Sequence, residues 1–541
     1  MALIGLGPKG LFALERLLDH ACRLDPDVRV AVDLFEPHPS PGAGPVYDPA
    51  QPGYLRMNFA AGQLDMWWPS SRAVPSGQRK PFLAWTGGRD ADAYPPRAEV
   101  GRYLSAGFEA VLRHAPPNVD VRLLPLAAEA AVPDGDGWIV RAGGTAHAYD
   151  EVLLAVGHGH SVFPFDRDEL AAVAPGATVA IRGFALTFLD TALALTEGRG
   201  GSFEQIDHPF RLRYHAGSGE PAVMIPFTRS GRPMLAKPPA SLTARVPALG
   251  RIAADGRTRI ADLGGAVDLH ADLLPVLGTI VCANLAAAAR CEIDATLRIA
   301  VGRRLAEAAG GVGAFAEVDV VPAIERSLLV GAGLAPPDVA WALGHTWRTL
   351  YPAIVARLGG DGLPARDWPA FLRLAAELER VAFGPPAINA AKLLALVEAG
   401  RIDLGNLRGA TLRRGAAGIE LRSPHGARAV DVALDAVLPG PGAAGAEGLV
   451  SDLIAAGCAR VAPGRRGLEV TPDGSCRGRD GAVTRGLSAI GRPTEDSVIG
   501  NDTLTRSLHP HADRWARRIV QRSRECYLAS ARRAAPKAVL A

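Results

Sequence analysis

Apolar Ala2-Leu3-Ile4 is followed at once by glycines, and then by leucines at helical spacing, Leu11, Leu14, Leu17 and Leu18. The pattern predicts a short strand, a tight turn and an amphipathic helix. A second strand is predicted over Val28-Arg29-Val30-Ala31-Val32-Asp33-Leu34-Phe35. From 37 to 104 the chain is rich in turn signals, including Gly42-Ala43-Gly44-Pro45, and a helix is expected from Pro96 onward. Short strands flank the turn Asp134-Gly135-Asp136-Gly137, and another closes at Ala155-Val156-Gly157. The opening pattern then recurs: Ala177 to Ile181 as a strand, a turn at Gly183, and Phe188 to Leu195 as a helix. Residues 280 to 400 carry helical spacing, 406 to 445 return to strands, and Leu487 to Arg492 is strand-like before a polar run and a last helix through Trp515. Alternation of this kind predicts an α/β fold with two Rossmann-like dinucleotide-binding domains and a helical insertion.

The first turn, Gly5-Leu6-Gly7-Pro8-Lys9-Gly10, spells GxGxxG between a strand and a helix. Gly5 permits the tight turn, Gly7 lets a pyrophosphate approach the backbone, and Gly10 lets helix and strand pack closely. The N–H groups of the first helical turn then face the anion. Glu36, at the end of the second strand, is the expected acceptor for a ribose hydroxyl. Asp33 competes for that role, but a mid-strand side chain would not reach the ribose.

The second turn, Arg182-Gly183-Phe184-Ala185-Leu186-Thr187, is a degraded fingerprint, with Ala185 at the second glycine. Read alone, it is equally an ordinary strand–helix corner. Arg229, Arg232 and Lys237 follow it, and guanidinium forks suit a ribose 2′-phosphate, so NADPH is preferred over NADH. A basic surface turn is the competing reading. The expected organisation is an FAD-binding domain over 1–170, completed by 446–541. An NADPH-binding domain over 171–285 takes back strands from 401–445, and a helical insertion fills 286–400.

Hydrophobic residues make up 48% of the 541 residues and charged ones 21%, the balance of a globular protein of two or three domains. Net charge is +3, and the basic stretch Arg514 to Arg524 alternates with apolar residues, so no nucleic-acid partner is expected. The sequence shows no apolar run of 18 residues, so no membrane partner is expected either. Six scattered cysteines without CxxC spacing read as free thiols of a reducing cytoplasm. No metal motif is present. A first strand of three residues leads us to expect further residues upstream.

Together these segments resemble the FAD/NAD(P)-binding family that contains aspartate N-monooxygenases and FAD-dependent urate hydroxylases. The carriers are GLGPKGLFALER from Gly5, GAGPVY from Gly42, YLRMN from Tyr54, FLAW from Phe82, PRAEVGRYL from Pro96 and VGH from Val156. The resemblance implies FAD and NADPH as cofactors and a flavin that passes one oxygen atom of O2 to an amine. The substrate would be a small amino acid, most simply L-aspartate oxidised towards nitrosuccinate. A urate-type ring hydroxylase and a redox-inactive FAD-binding scaffold stay open. Expected cofactor contacts are Gly5, Gly7, Pro8, Lys9, Gly10, Glu36, Tyr47, Val156, Gly157, Gly183, Arg229, Arg232, Asn501 and Asp502. Asn58 and Gln63 are nominated as flavin or oxygen hydrogen-bond partners. Arg56, Arg102, Arg492 and Arg506 are nominated as carboxylate anchors, because an arginine fork binds a carboxylate bidentately; a surface ion pair or helix cap competes for each. A homo-oligomer is left open.

Overall fold

The computed structural model describes the chain except residues 158–166, 207–209, 312–318, 361, 417, 425, 439–447, 502 and 535–541. It divides into two compact units, the first made of Met1–Gln51, Ala60–Gly159 and Gly440–Ala541, the second of Pro52–Phe59 and His160–Pro439.

Ala2, Leu3 and Ile4 form the central strand of the first unit because all three side chains are apolar and both faces of the sheet are covered. The sheet runs Ser475–Arg477, Val483–Ala489, Val152–Leu154, Ala2–Ile4, Val30–Phe35, Val119–Leu124. All pairings are parallel except that of the edge strand Ser475–Arg477. An antiparallel meander, Ala130–Asp134, Gly137–Ala142 and Thr145–Tyr149, packs beside it. Helix Pro8–Ala21 packs against the last helix, His511–Ala534. That contact contains a buried ion network. Arg16 donates from Nε to Asp513 (2.8 Å) and from Nη2 to Asp19 (2.7 Å), and His20 lies 2.8 Å from Asp513. Burial pushes the Asp513 carboxyl up, but the hydrogen bonds from His20 and Arg16 outweigh it and hold the group well below the usual carboxylate range.

The second unit centres on three parallel strands in the order Val223–Phe227, Thr178–Arg182, Val432–Asp435. An antiparallel sheet, Thr411–Gly415, Gly418–Ser423 and Gly426–Val430, adjoins it through a small apolar cluster. Helices occupy Ala240 to Glu398, so the helical part starts well before the expected boundary at 286. Gly250 and Gly256 weaken the helical signal of Pro247–Ala261, yet Gly256 is what lets this helix pack closely. A Cβ there would lie 2.8 Å from Leu350 Cδ2 and 3.1 Å from Ile280 Cγ1.

Leu269–Ala289, with mean hydropathy 1.7, is long and apolar enough to cross a membrane by length and composition. In this unit it packs against Pro247–Ala261, Ala295–Gly310 and Val339–Leu358, and buries Leu277, Ile280, Val281 and Leu285.

Candidate functional site

The glycine turn of the first unit is built by close backbone approaches. Gly5 has φ +90, and a Cβ on it would stand 2.7 Å from the Ala155 carbonyl. Its N–H donates to Phe35 O at 2.9 Å, and Ala155 N–H donates to Ile4 O at 2.8 Å. A Cβ on Gly10 would be driven into Gly5 O. Gly7, by contrast, is extended (φ −72, ψ −167) at the N-cap, and a Cβ there would meet no atom within 4 Å. Open space therefore lies in front of Gly7, at the end of a helix whose first N–H groups cannot pair within the helix. Pro8 takes the N1 position, where a missing N–H costs nothing.

Other segments wall this space. Gly42 N–H donates to Leu6 O (2.7 Å), and Gly44, with φ +62, faces Gly7, its Cβ position 3.2 Å from Gly7 Cα. Tyr47 ends the short turn Pro45–Tyr47, over which Gly101 fits because any side chain would strike Tyr47 O. Val156 and Gly157 follow the strand that flanks Gly5. Glu36 is buried; its Oε2 accepts from Leu6 N–H (2.6 Å) and its Oε1 from His38 N–H (2.9 Å). Each oxygen keeps a lone pair for a sugar hydroxyl. Asp33 is taken by Arg122 and by the Tyr149 hydroxyl (2.6 Å).

From the far end of the chain, the Lys9 side chain packs on Gly491, whose Cβ position is 3.0 Å from Lys9 Cγ. Arg492 is half-buried on the turn that follows. Asn501 is buried and donates from Nδ2 to Thr494 Oγ1 (2.6 Å), which donates to Gly491 O (2.9 Å), so its amide braces this turn. Two histidines that the sequence reading passed over, His509 and His511, share a ring contact of 5.2 Å. Burial, their mutual repulsion or Arg514, and the Lys9 charge push them down to about 3 and about 4, so both are neutral near pH 7. A dinucleotide fits what is present: an open glycine cradle, a ribose acceptor, and one lysine flanked by uncharged rings.

Three nominations need correction. Arg506 is no substrate anchor: it is buried, its guanidinium donates to Met66 O and to Glu15 Oε2 (2.8 Å), and it lies over the Phe12 ring at 4.5 Å. Arg102 faces solvent on helix Arg97–Arg113 while Gly101, Tyr103 and Leu104 face inward. Arg232 pairs with Glu377 (Nη1 to Oε2, 2.7 Å), so its fork already holds a carboxylate. Gln63 is exposed on the turn Ala61–Gln63, and Asp502 lies outside the described residues.

The second unit repeats the first cradle's construction. Gly183 has φ +114, its N–H donates to Phe227 O (3.0 Å), and its Cβ position lies 3.0 Å from the Ala436 carbonyl. Ala436 N–H donates to Arg182 O at 2.8 Å, as Ala155 does to Ile4. A central strand, a positive-φ glycine and a returning strand whose alanine covers it thus occur twice. The basic group expected beside it disperses. Arg229 is exposed, Arg232 is on Glu377, and Lys237 is buried on the Tyr54–Asn58 segment, donating to Asn58 O at 2.9 Å. Arg56 is half-buried on that same segment.

Residues 2–159 match the FAD-NAD(P)-binding family. A nitrosuccinic acid synthase from Aspergillus oryzae is 33% identical over 269 residues, covering 44% of this chain and 41% of that protein. An L-aspartate N-monooxygenase (nitrosuccinate-forming) from Streptomyces cremeus is 32% identical over 272 residues, covering 41% of this chain and 40% of that one. The matched part is thus well under half the length of either relative. Among solved structures, an L-lysine 6-monooxygenase from Pseudomonas syringae is 12% identical over 96% of this chain and 99% of that one, with a TM-score of 0.46.

Proposed function

We propose that this chain, with an FAD-NAD(P)-binding family match over residues 2–159, is a flavin-dependent monooxygenase that uses NADPH and O2 to oxidise the amine of L-aspartate towards nitrosuccinate. The observation that carries the reading is the doubled cradle, Gly5 under Ala155 and Gly183 under Ala436. Two dinucleotides are what a hydride relay from NADPH to a flavin requires. Bound flavin would supply the oxygen chemistry: each cycle consumes one NADPH, one proton and one O2, places one oxygen atom on the nitrogen and releases the other as water.

The chain's own residues bind and hold. Gly7 and the first turn of helix Pro8–Ala21 receive the pyrophosphate of FAD, and Glu36 takes its ribose. Lys9 adds one positive charge, and His509 and His511, being neutral, add none. Gly183 serves NADPH in the second unit. Arg56, Arg492 and Asn58 remain nominated for substrate and flavin contacts. The amino acid brings its own nucleophile, so no catalytic triad is needed. Six free cysteines suit a reducing cytoplasm, where we place the enzyme. One observation favours a second reading, the redox-inactive FAD scaffold: Arg232 is committed to Glu377 and not open to a 2′-phosphate.

The test is spectroscopic. Purified protein should be yellow, and NADPH should bleach it without oxygen. L-Aspartate, but not ornithine, lysine or urate, should then accelerate aerobic NADPH consumption. Bound FAD that NADPH never reduces would leave the scaffold reading in possession.

A further inference from the structure

Lys237 is the least explained charge in the second unit. It sits on an extended segment fixed by its neighbours: Leu235 N–H donates to Arg380 O (3.1 Å), Ala236 N–H to Ser327 Oγ (3.0 Å) and Lys237 N–H to Pro385 O (3.0 Å). The residue is 9% exposed. Its ammonium donates to Asn58 O at 2.9 Å and lies 4.9 Å from the Phe59 ring and 6.0 Å from the Phe383 ring. Among the described residues, it forms no ion pair with a carboxylate, and no carboxylate is among the charges that shift it. The charge nearest in effect is the like charge of Arg348. A buried ammonium has three donors, and here one is used by a carbonyl oxygen. Leaving such a charge unpaired in apolar surroundings is costly, and proteins carry that cost where a ligand completes the pair.

We infer that Lys237 binds a carboxylate of the amino-acid substrate, with the Asn58 carbonyl and the Phe59 and Phe383 rings holding its ammonium in place. The inference rests on the amino-oxidising reading above. A carboxylate is favoured over a nucleotide 2′-phosphate on charge grounds. One buried ammonium neutralises a monoanion. A phosphate bearing nearly two charges would be left half-compensated, since Arg232 is tied to Glu377 and Arg229 is exposed. Burial and Arg348 push the Lys237 ammonium down to about 8, so the bound carboxylate would keep it charged.

The test is calorimetric titration of the FAD-loaded enzyme with succinate, an unreactive dicarboxylate, at pH 7 and pH 9. Wild type should bind about tenfold more weakly at pH 9, one unit above the free ammonium's value. Lys237→Met should bind at least about tenfold more weakly at pH 7 and lose the pH step. Lys237→Arg, which stays charged, should bind at both pH values without the step. Equal succinate binding by wild type and Lys237→Met overturns the assignment and leaves the amino-acid reading intact. Loss of NADP+ affinity with succinate binding unchanged overturns it in favour of the phosphate. If no form binds succinate and urate drives NADPH consumption, both readings fall. Should Lys237→Met not yield holoenzyme, wild type and Lys237→Arg decide: identical pH profiles refute the inference.

Discussion

Gly7 and Gly10 lie three residues apart, yet their alanine variants should fail in opposite ways. Gly7 is extended, a conformation alanine adopts freely, and its added methyl group meets no protein atom within 4 Å. Gly7→Ala should therefore leave the FAD-free protein as stable as wild type, or raise it by about 0.5 kcal/mol through the unfolded chain. The methyl group would occupy the space proposed for the pyrophosphate. Overpacking costs about 1–3 kcal/mol, which at about 1.4 kcal/mol per decade weakens FAD binding by about 5- to 100-fold. Gly10→Ala instead drives its methyl group into the Gly5 carbonyl and to 3.1 Å from Leu3 Cδ2. The central strand and the helix must separate, so the same 1–3 kcal/mol, roughly, is lost from the FAD-free fold. Urea unfolding of stripped protein and flavin fluorescence titration read the two quantities separately. Wild-type FAD affinity in Gly7→Ala, or equal destabilisation by both substitutions, would refute the assignment of the open space to the phosphates.

Three further outcomes are expected. Lys237, at about 8 against an ordinary 10.5, lowers stability by about 3 kcal/mol when charged, at about 1.4 kcal/mol per pH unit. Its folded value lies below the unfolded one, so wild type bears that loss in full below pH 8 and is relieved of it as pH rises towards 10.5. The urea midpoint of wild type should climb over that window relative to Lys237→Met, and parallel curves would count against it. Arg506→Leu leaves the buried Glu15 only its longer, 3.5 Å contact with Arg16 and should cost about 3 kcal/mol, seen as a lower melting midpoint with the KM of whatever folds unchanged. Asp513 is held below its ordinary value, so its contribution exists above about pH 4 and is lost as pH falls through the folded value. Asp513→Asn should flatten the acid limb of the stability profile measured by helix circular dichroism, and an unchanged limb would remove the network from acid unfolding.

Features set by local backbone geometry were readable in the sequence. Gly5, Gly7 and Gly10 encode a turn whose shape follows from their own φ values and their lack of Cβ, and Glu36 follows from strand length. Gly183 was readable for the same reason, despite Ala185, because the positive φ falls on the glycine that is present. What escaped depends on partners far along the chain. Nothing near Arg506 announces Glu15, 491 residues away, and nothing near Arg232 announces Glu377. Both looked like open guanidinium forks because their counter-charges come from other elements. Lys237 seemed one of three basic neighbours; only the folded backbone sends it to Asn58. The helices from Ala240 lie outside the expected helical segment; Gly250 and Gly256 weaken the helical signal there, although close helix packing needs Gly256.

The first unit's sheet places Val483–Ala489 beside Val152–Leu154, and Arg16 meets Asp513 across 497 residues. During synthesis, the opening strand and helix must therefore wait for Val483–Ala489 and Asp513 to leave the ribosome. The second unit, nearly continuous between those halves, has its strands available earlier. Long waits of this kind expose apolar edges and slow assembly. The cradle around Gly5 is thus complete only once Val483–Ala489 and Asp513 have been made, and the flavin proposed for it would be captured only after that.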